Sequence, residues 1–330
     1  MVFDRFLKSK KLYMLFLLPF LALAIAAIGF YWQPVRPHLS LNEGVIYADF
    51  LRNLSAEHSR YTGLGITLAI AYFMFYVNAR YKFLPQISTL PATIYILLTT
   101  GLVLYQGFSY IQIATLLVAF AFAGLQEAIN DIKSNSSIYS FGFLTALAIL
   151  VYPKSVLLFP WAICVLMFSG RSTLKDISAI LLGLITPVFL TCFYYFWTDN
   201  LQECIQRFQN SLLAGEFLTH PEGASVIFYG LLILLLLVSL YGIIVFYPIS
   251  VVNQRRGILS LLSMLCFCSL SFLVIPDIYP DMLYMLFMPL TYIYSQQLIN
   301  QRIGLLGDIF LFLLFLTGIV FCNANFFTVY

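Results

Sequence analysis

Long apolar runs separated by short polar stretches dominate the chain, and their length is that of helices crossing a bilayer. A hydrocarbon core of about 30 Å needs about 20 apolar residues per helix, because backbone groups in lipid must be satisfied within the segment. Eleven runs qualify: 12–32, 61–79, 87–105, 107–127, 138–153, 155–170, 177–197, 225–248, 257–275, 282–300 and 305–322. The expected fold is all-α, a polytopic transmembrane helical bundle of about 11 spans forming a single integral membrane domain over residues 1–330. The pair 138–153 and 155–170 is short and divided only around Tyr152, Pro153 and Lys154, so a re-entrant hairpin is the alternative there. The first run follows Arg5, Lys8, Lys10 and Lys11 as a signal peptide would. Its apolar stretch is too long and lacks a small-residue cleavage pattern, so it is read as a retained span.

The polar stretches between the runs carry the orientation, because cytoplasmic loops are enriched in Lys and Arg. With the N-terminus inside, twelve of the seventeen bases fall on the cytoplasmic side, against five acids. The outer side keeps five bases, Arg36, Arg52, Arg60, Lys154 and Arg207, against nine acids. An eleven-span count therefore places the N-terminus in the cytoplasm and the C-terminus outside. Every charged residue falls in a loop or at a span end. Proton relays and ion-coupled transporters usually carry ionisable groups at mid-membrane, so a transporter ranks third among the readings.

Composition agrees with the pattern. The chain is 62% hydrophobic and 9% charged, with a mean hydropathy of +0.93. That charge is too sparse to coat a water-soluble surface, where about a quarter of residues are charged, and it excludes a secreted, disordered or nucleic-acid-binding protein. Cytoplasmic connections are short and no P-loop or Gly-rich phosphate fingerprint occurs. Any chemistry is expected outside, in the two long outer loops, 33–60 and 198–224, which hold His38, His58 and His220.

Both loops are expected to contain an amphipathic helix lying at the membrane interface. In the first, Ser40-Leu41-Asn42-Glu43 has the form of a capping box, followed by an apolar stripe of Val45, Ile46, Phe50, Leu51 and Leu54. In the second, Leu201, Ile205, Phe208 and Leu212 share a face, and Glu203 and Arg207 form an i, i+4 pair. The histidines show no metal-ligand spacing, so neither a metal nor another cofactor is expected. The six cysteines make no framework, with only Cys204 in an outer loop. Gly63, Gly65 and Gly230 are expected to permit close helix packing.

An acidic side chain held at the interface can deprotonate an acceptor during sugar transfer from a polyprenyl phosphate. The stretch Asn42-Glu43-Gly44-Val45-Ile46-Tyr47-Ala48-Asp49-Phe50-Leu51-Arg52-Asn53-Leu54 resembles the first-outer-loop segment of C-type (GT-C) glycosyltransferases. That resemblance implies Glu43 as the essential acid, Tyr47 as the aromatic and Arg52 as the basic position, and Asp49, an outer carboxylate of the same stretch, is the alternative base. Arg207, His58 and His220 join them as candidate phosphate- or substrate-binding groups of the outer loops. The usual acidic pair reads Asn42-Glu43 here, and no D-x-D is present.

A second resemblance rests on Phe141-Gly142-Phe143-Leu144, Leu150-Val151-Tyr152-Pro153-Lys154-Ser155, Gly170-Arg171-Ser172 and Gly183-Leu184-Ile185-Thr186-Pro187. These are similar to a multi-pass inner-membrane family of Bacteroidota whose activity is not established, and they imply location. The expected partners are membrane lipid and a polyprenyl-phosphate sugar. The competing reading is a non-enzymatic scaffold, a subunit of an assembly or secretion complex that docks a membrane-protein partner.

Overall fold

The computed structural model describes residues 13–32, 44–46, 55–82, 84–131, 134–213, 224–276, 278, 281–300 and, within 309–316, all but 311 and 315. It is all-helical, with no strand among the described residues. The helices are α1 (Tyr13–Trp32), α2 (Ala56–Tyr81), α3 (Leu90–Gln106), α4 (Tyr110–Asn130), α5 (Asn135–Val151), α6 (Leu158–Ser169), α7 (Leu174–Trp197), α8 (Leu201–Leu213), α9 (Ala224–Phe246), α10 (Val252–Val274) and α11 (Leu283–Asn300). Five of them are long and apolar enough to cross a membrane: α2 from Glu57, α4, α7, the Phe228–Val245 part of α9, and α10. The protein is thus a membrane-type helical bundle.

Local chemistry sets the ends of the helices. Ser55 caps α2 by accepting from the His58 backbone N–H, and Lys82 closes it in the left-handed region at φ 51°. Thr173 and Asp176 form a reciprocal capping box at the start of α7. Gly107 and Gly170, both at φ 75°, end α3 and α6 where a side chain would be strained. Pro153 separates α5 from α6 through a single 3-10 turn, Pro153–Ser155, because proline lacks the N–H needed to continue the ladder. Pro19, Pro187 and Pro289 instead lie inside α1, α7 and α11.

Polar side chains within the apolar helices are satisfied locally. Thr99, Thr100, Thr115 and Thr145 each donate to the carbonyl four residues back, at 2.6–2.7 Å. Such back-bonding hides a hydroxyl where no water competes. Aromatic side chains with polar tips tie helices together. Tyr292 Oη donates to Met74 O at 2.9 Å, Tyr294 Oη to Leu232 O at 2.8 Å, and Trp161 Nε1 to Ser263 Oγ at 3.1 Å. Outward, α7 and α9 present large apolar side chains, among them Leu182, Ile185, Phe189, Phe193, Leu237 and Ile244, all more than half exposed. A face of that kind is unfavourable in water and matched to lipid.

The tightest pairing is α5 with α7, its neighbour on the far side of α6. The two helices run in the same direction. Asn135, at the start of α5, accepts from Arg171, just before α7, and at the other end Leu150 and Tyr195 both bond to Val45. Glycines allow the approach: a Cβ on Gly142 would stand 2.7 Å from Ile180 O, and one on Gly183 would stand 3.0 Å from Phe143 N. The sequence reading named other glycines for this role. Gly63 does lie against Val103 and Gly107, but Gly65 and Gly230 face open space, so the expectation fails at those two positions. Spacing alone does not reveal which side of a helix meets a neighbour.

At one end of the bundle two short connections are locked together. The Arg171 guanidinium pairs with Asp176 at 3.3 Å and donates to the carbonyls of Asp131 and Ser134, with both charged side chains about 5% exposed or less. The charges in these loops therefore do not all face water, because the connection folds back on the helix ends.

Gly142→Leu and Gly183→Leu are expected to destabilise the bundle by ~1–3 kcal/mol each through overpacking against backbone. Gly65→Leu, on an open face, should be near neutral. Thermal unfolding of the detergent-purified protein compares the three.

Candidate functional site

At the end opposite Arg171, segments far apart in sequence meet. Gly44–Ile46 is a bend, not a helix, and it sits on the end of α5: the Val45 and Ile46 N–H groups both donate to Leu150 O, at 3.0 and 3.4 Å. This corrects the expectation that Val45 and Ile46 belong to an amphipathic helical stripe. Both N–H groups converge on a carbonyl of the last turn of α5, where the helix has no further N–H to offer it. Gly44 packs so closely on the Val151 carbonyl that no Cβ would fit. Tyr195 Oη, near the end of α7, donates to Val45 O at 3.0 Å.

The second outer loop arrives at the same place. Helix α8 packs on α7 and on the Pro153–Ser155 turn. A helix forms here, with its buried side rotated from the predicted stripe: Cys204 and Ser211 are buried and Phe208 half-buried, while Ile205 is half exposed. Cys204 forms a small apolar cluster with Val45 and Leu150, against which Tyr195 and Phe208 pack. Burial, with Cys192 nearby, pushes the Cys204 thiol up, and Arg207 opposes the shift. Elsewhere at this end, Ser59 Oγ accepts from the Phe108 N–H at 2.8 Å, linking the start of α2 to the α3–α4 turn.

Beneath this surface lies a polar group. Lys154, in the 3-10 turn, is fully buried, as are Ser155 and Tyr152. Lys154 was expected as an outer-loop charge. It is in a connection, as expected, but the turn carries it inside the protein, and a buried cation must be paired or hydrogen-bonded to remain there. Tyr152 Oη donates to the Asp281 carboxylate at 3.5 Å, joining this turn to the residues that precede α11. Tyr284, one turn further on, is buried near Asp281 and Tyr95 and faces Gln112 of α4. Tyr95 Oη donates to Tyr284 O at 3.5 Å and Gln112 Nε2 to Gly107 O at 3.3 Å. The Tyr284 Oη lies against the Gln112 side chain, whose Oε1 has no hydrogen-bond partner.

Of the residues singled out from sequence, Glu43, Tyr47, Asp49, Arg52 and His220 lie outside the described residues, as does the capping box at 40–43. His58 is exposed in the first turn of α2, with its Nδ1 sharing a hydrogen bond with Ser55 Oγ. Arg207 is paired with Glu203 one turn earlier on α8, as expected from their spacing. Each is thus engaged within its own helix. Among the described residues no three His, Cys, Asp or Glu side chains converge as metal ligands.

Sequence reasoning missed Tyr152, Gln112 and Tyr284, and it sorted Lys154 and Asp281 by side without bringing them near each other. One signal was available: Lys154 stands between two short apolar runs, too few residues from either to reach solvent freely.

Gly44→Ala is expected to lift Val45 from the α5 end and uncover Cys204. In the native protein, a membrane-impermeant maleimide should leave the Cys204 peptide unmodified at neutral pH; in the variant, mass spectrometry should find it labelled.

Comparison of the chain with protein-family models, with curated proteins and with solved structures gave no match.

Proposed function

We propose that this is a multi-pass protein of the bacterial inner membrane that acts at the outer face as a GT-C-like transferase, using polyprenyl-phosphate-linked sugars. In this reading the chain crosses the bilayer eleven times, with the N-terminus in the cytoplasm and the C-terminus outside. The same reading sets the Tyr152–Val156 turn at the outer level, because Leu150 and Tyr195 meet Val45 of the first outer loop. That position favours two spans over a re-entrant hairpin for 138–170.

One observation carries the reading. The two long outer loops, 33–60 and 198–224, converge on one place: Gly44–Ile46 of the first and α8 of the second flank the turn that buries Lys154. A transferase at the outer face needs a base, a cation for a lipid phosphate and a cover that limits water. The reading assigns the base to Glu43 or Asp49 and the phosphate contacts to Arg52 and Arg207. Tyr47, His58 and His220 complete the substrate contacts, with membrane lipid as the surrounding partner.

The scaffold reading is favoured by a different observation, the broad exposed apolar face of α7, which includes Phe189, Phe193 and Trp197. A membrane-protein partner could cover that face as well as lipid does. Purification in mild detergent separates the two, because a scaffold should retain a stoichiometric membrane partner.

Glu43→Gln and Asp49→Asn are expected to reduce the glycan product at least roughly a hundred-fold if either group is the base, with protein level in the membrane unchanged. Full complementation of a deletion by both variants would overturn the transferase reading.

A further inference from the structure

Arg171, Arg255 and Arg256 lie at one end of the bundle, and their guanidinium groups are used differently. Arg171 is given to Asp176 and to the carbonyls of Asp131 and Ser134. Arg255, near the start of α10, donates to Ser250 O at 2.9 Å and Pro248 O at 2.7 Å, and it stands 5.4 Å over the Tyr247 ring. Arg256 is half-buried, yet among the described residues it makes no hydrogen bond and no ion pair. Its guanidinium lies instead on Gly170, the residue that ends α6: a Cβ there would stand 2.8 Å from Nη2 and 2.9 Å from Cζ. A guanidinium has five N–H donors in a planar fork, and none of these five is used within the protein. The Asp176 carboxylate, in the connection that follows Gly170, is already taken by Arg171. Arg255 and Arg256 also stand near the positive end of the α10 dipole, where cations are disfavoured, and an anion offsets both charges.

The surroundings say what kind of anion fits. Helix α10 is long and apolar enough to cross a membrane, and Arg256 is one turn inside its start. A helical side chain leans toward the N-terminus of its helix, which carries the guanidinium to the level where lipid headgroups begin. Leu174, Val251 and Val252, at the same end, are more than half exposed. So are Met167 and Phe168 in the last turn of α6, on the membrane side of Gly170. Helices α6 and α10 pack together, so the unpaired cation and this apolar surface adjoin.

We propose that Arg256, with Arg255 beside it, holds the phosphate of an anionic phospholipid whose acyl chains lie along Met167 and Phe168. The guanidinium meets the phosphate oxygens through charge-assisted hydrogen bonds, and the exposed end of α6 meets the hydrocarbon. A soluble phosphate ester offers the same oxygens but leaves Met167 and Phe168 uncovered. The site lies at the opposite end of the bundle from Lys154 and Cys204 and does not depend on the transferase reading.

The test uses the whole chain in detergent micelles, with retained lipid counted by native mass spectrometry. The probes are dioleoyl phosphatidylglycerol, dioleoyl phosphatidylcholine and glycerol phosphate. Phosphatidylcholine carries the same phosphodiester together with a cation, which two arginines oppose. The native protein should retain one phosphatidylglycerol roughly ten-fold or more tighter than phosphatidylcholine, as one charge-assisted pair would give. Arg256→Gln removes no bond that holds the fold, and it should abolish the preference. Arg256→Lys keeps the charge but loses the fork, and should retain the preference in weaker form. Arg80→Gln is the control for loss of one positive charge: Arg80 is exposed at the end of α2 and donates to Tyr76 Oη, and its replacement should leave the preference unchanged.

An arginine that only anchors α10 against the bilayer would show no lipid preference in detergent. The proposal is therefore overturned if the two lipids bind alike, or if Arg256→Gln keeps the preference. It is also overturned if Arg80→Gln lowers the preference as much as Arg256→Gln does, since that result reflects attraction to positive charge in general. Displacement of phosphatidylglycerol by millimolar glycerol phosphate would assign Arg256 to a soluble phosphate, and the lipid would be abandoned.

Discussion

A polar group inside this bundle has no water to fall back on, and nearly every feature of the fold follows from how each one is satisfied. Threonine hydroxyls return to carbonyls of their own helices. Tyrosine and tryptophan tips reach across to neighbouring helices. Free helix ends are met by connections from elsewhere in the chain, most clearly where Leu150 O accepts from Val45 and Ile46. An unsatisfied backbone group would cost several kcal/mol in a dry interior, so these contacts fix where the connections lie.

The same constraint ties the two ends of the molecule to different chemistry. At the Arg171 end a guanidinium with many donors pairs with Asp176 and gathers the carbonyls of Asp131 and Ser134, which closes the connections around a charge pair. The planar fork of arginine suits that task. At the other end a lysine is buried on a turn, a cysteine is covered by a loop, and phenols and an amide lie below them. The first arrangement joins residues within about 45 positions of one another. The second brings together segments separated by more than a hundred residues, which is why function is sought there.

Close packing of α5 on α7 connects these ends. Both helices run from the Arg171 end to the Val45 end, and the glycines at 142 and 183 let their backbones approach. With α5 held in that register, its last turn presents Leu150 O beside Tyr195, and Gly44–Ile46 and α8 are brought onto one surface. Helix–helix association in lipid gains little from hydrophobicity, so small residues and backbone proximity dominate it. The position of the candidate site therefore depends on side chains far from it.

Much of the architecture was legible in the sequence, because apolar run length is set by bilayer thickness and by the need to close backbone hydrogen bonds locally. The runs predicted helices, and among the described residues helices occupy them; the spacing of Glu203 and Arg207 predicted a pair, and the pair forms. Local pattern could not decide which faces meet. It chose Gly65 and Gly230 where Gly142 and Gly183 make the contacts, and a helical stripe for Val45 and Ile46 where a bend docks on α5. It placed Lys154 among surface charges, though the turn that follows α5 folds it inward. The sequence by itself determined a helical membrane protein, since apolar run length is read one stretch at a time. The tertiary structure decided the buried lysine, the covered cysteine and the Gln112–Tyr284 pair, because burial and hydrogen bonding there depend on partners brought from distant parts of the chain.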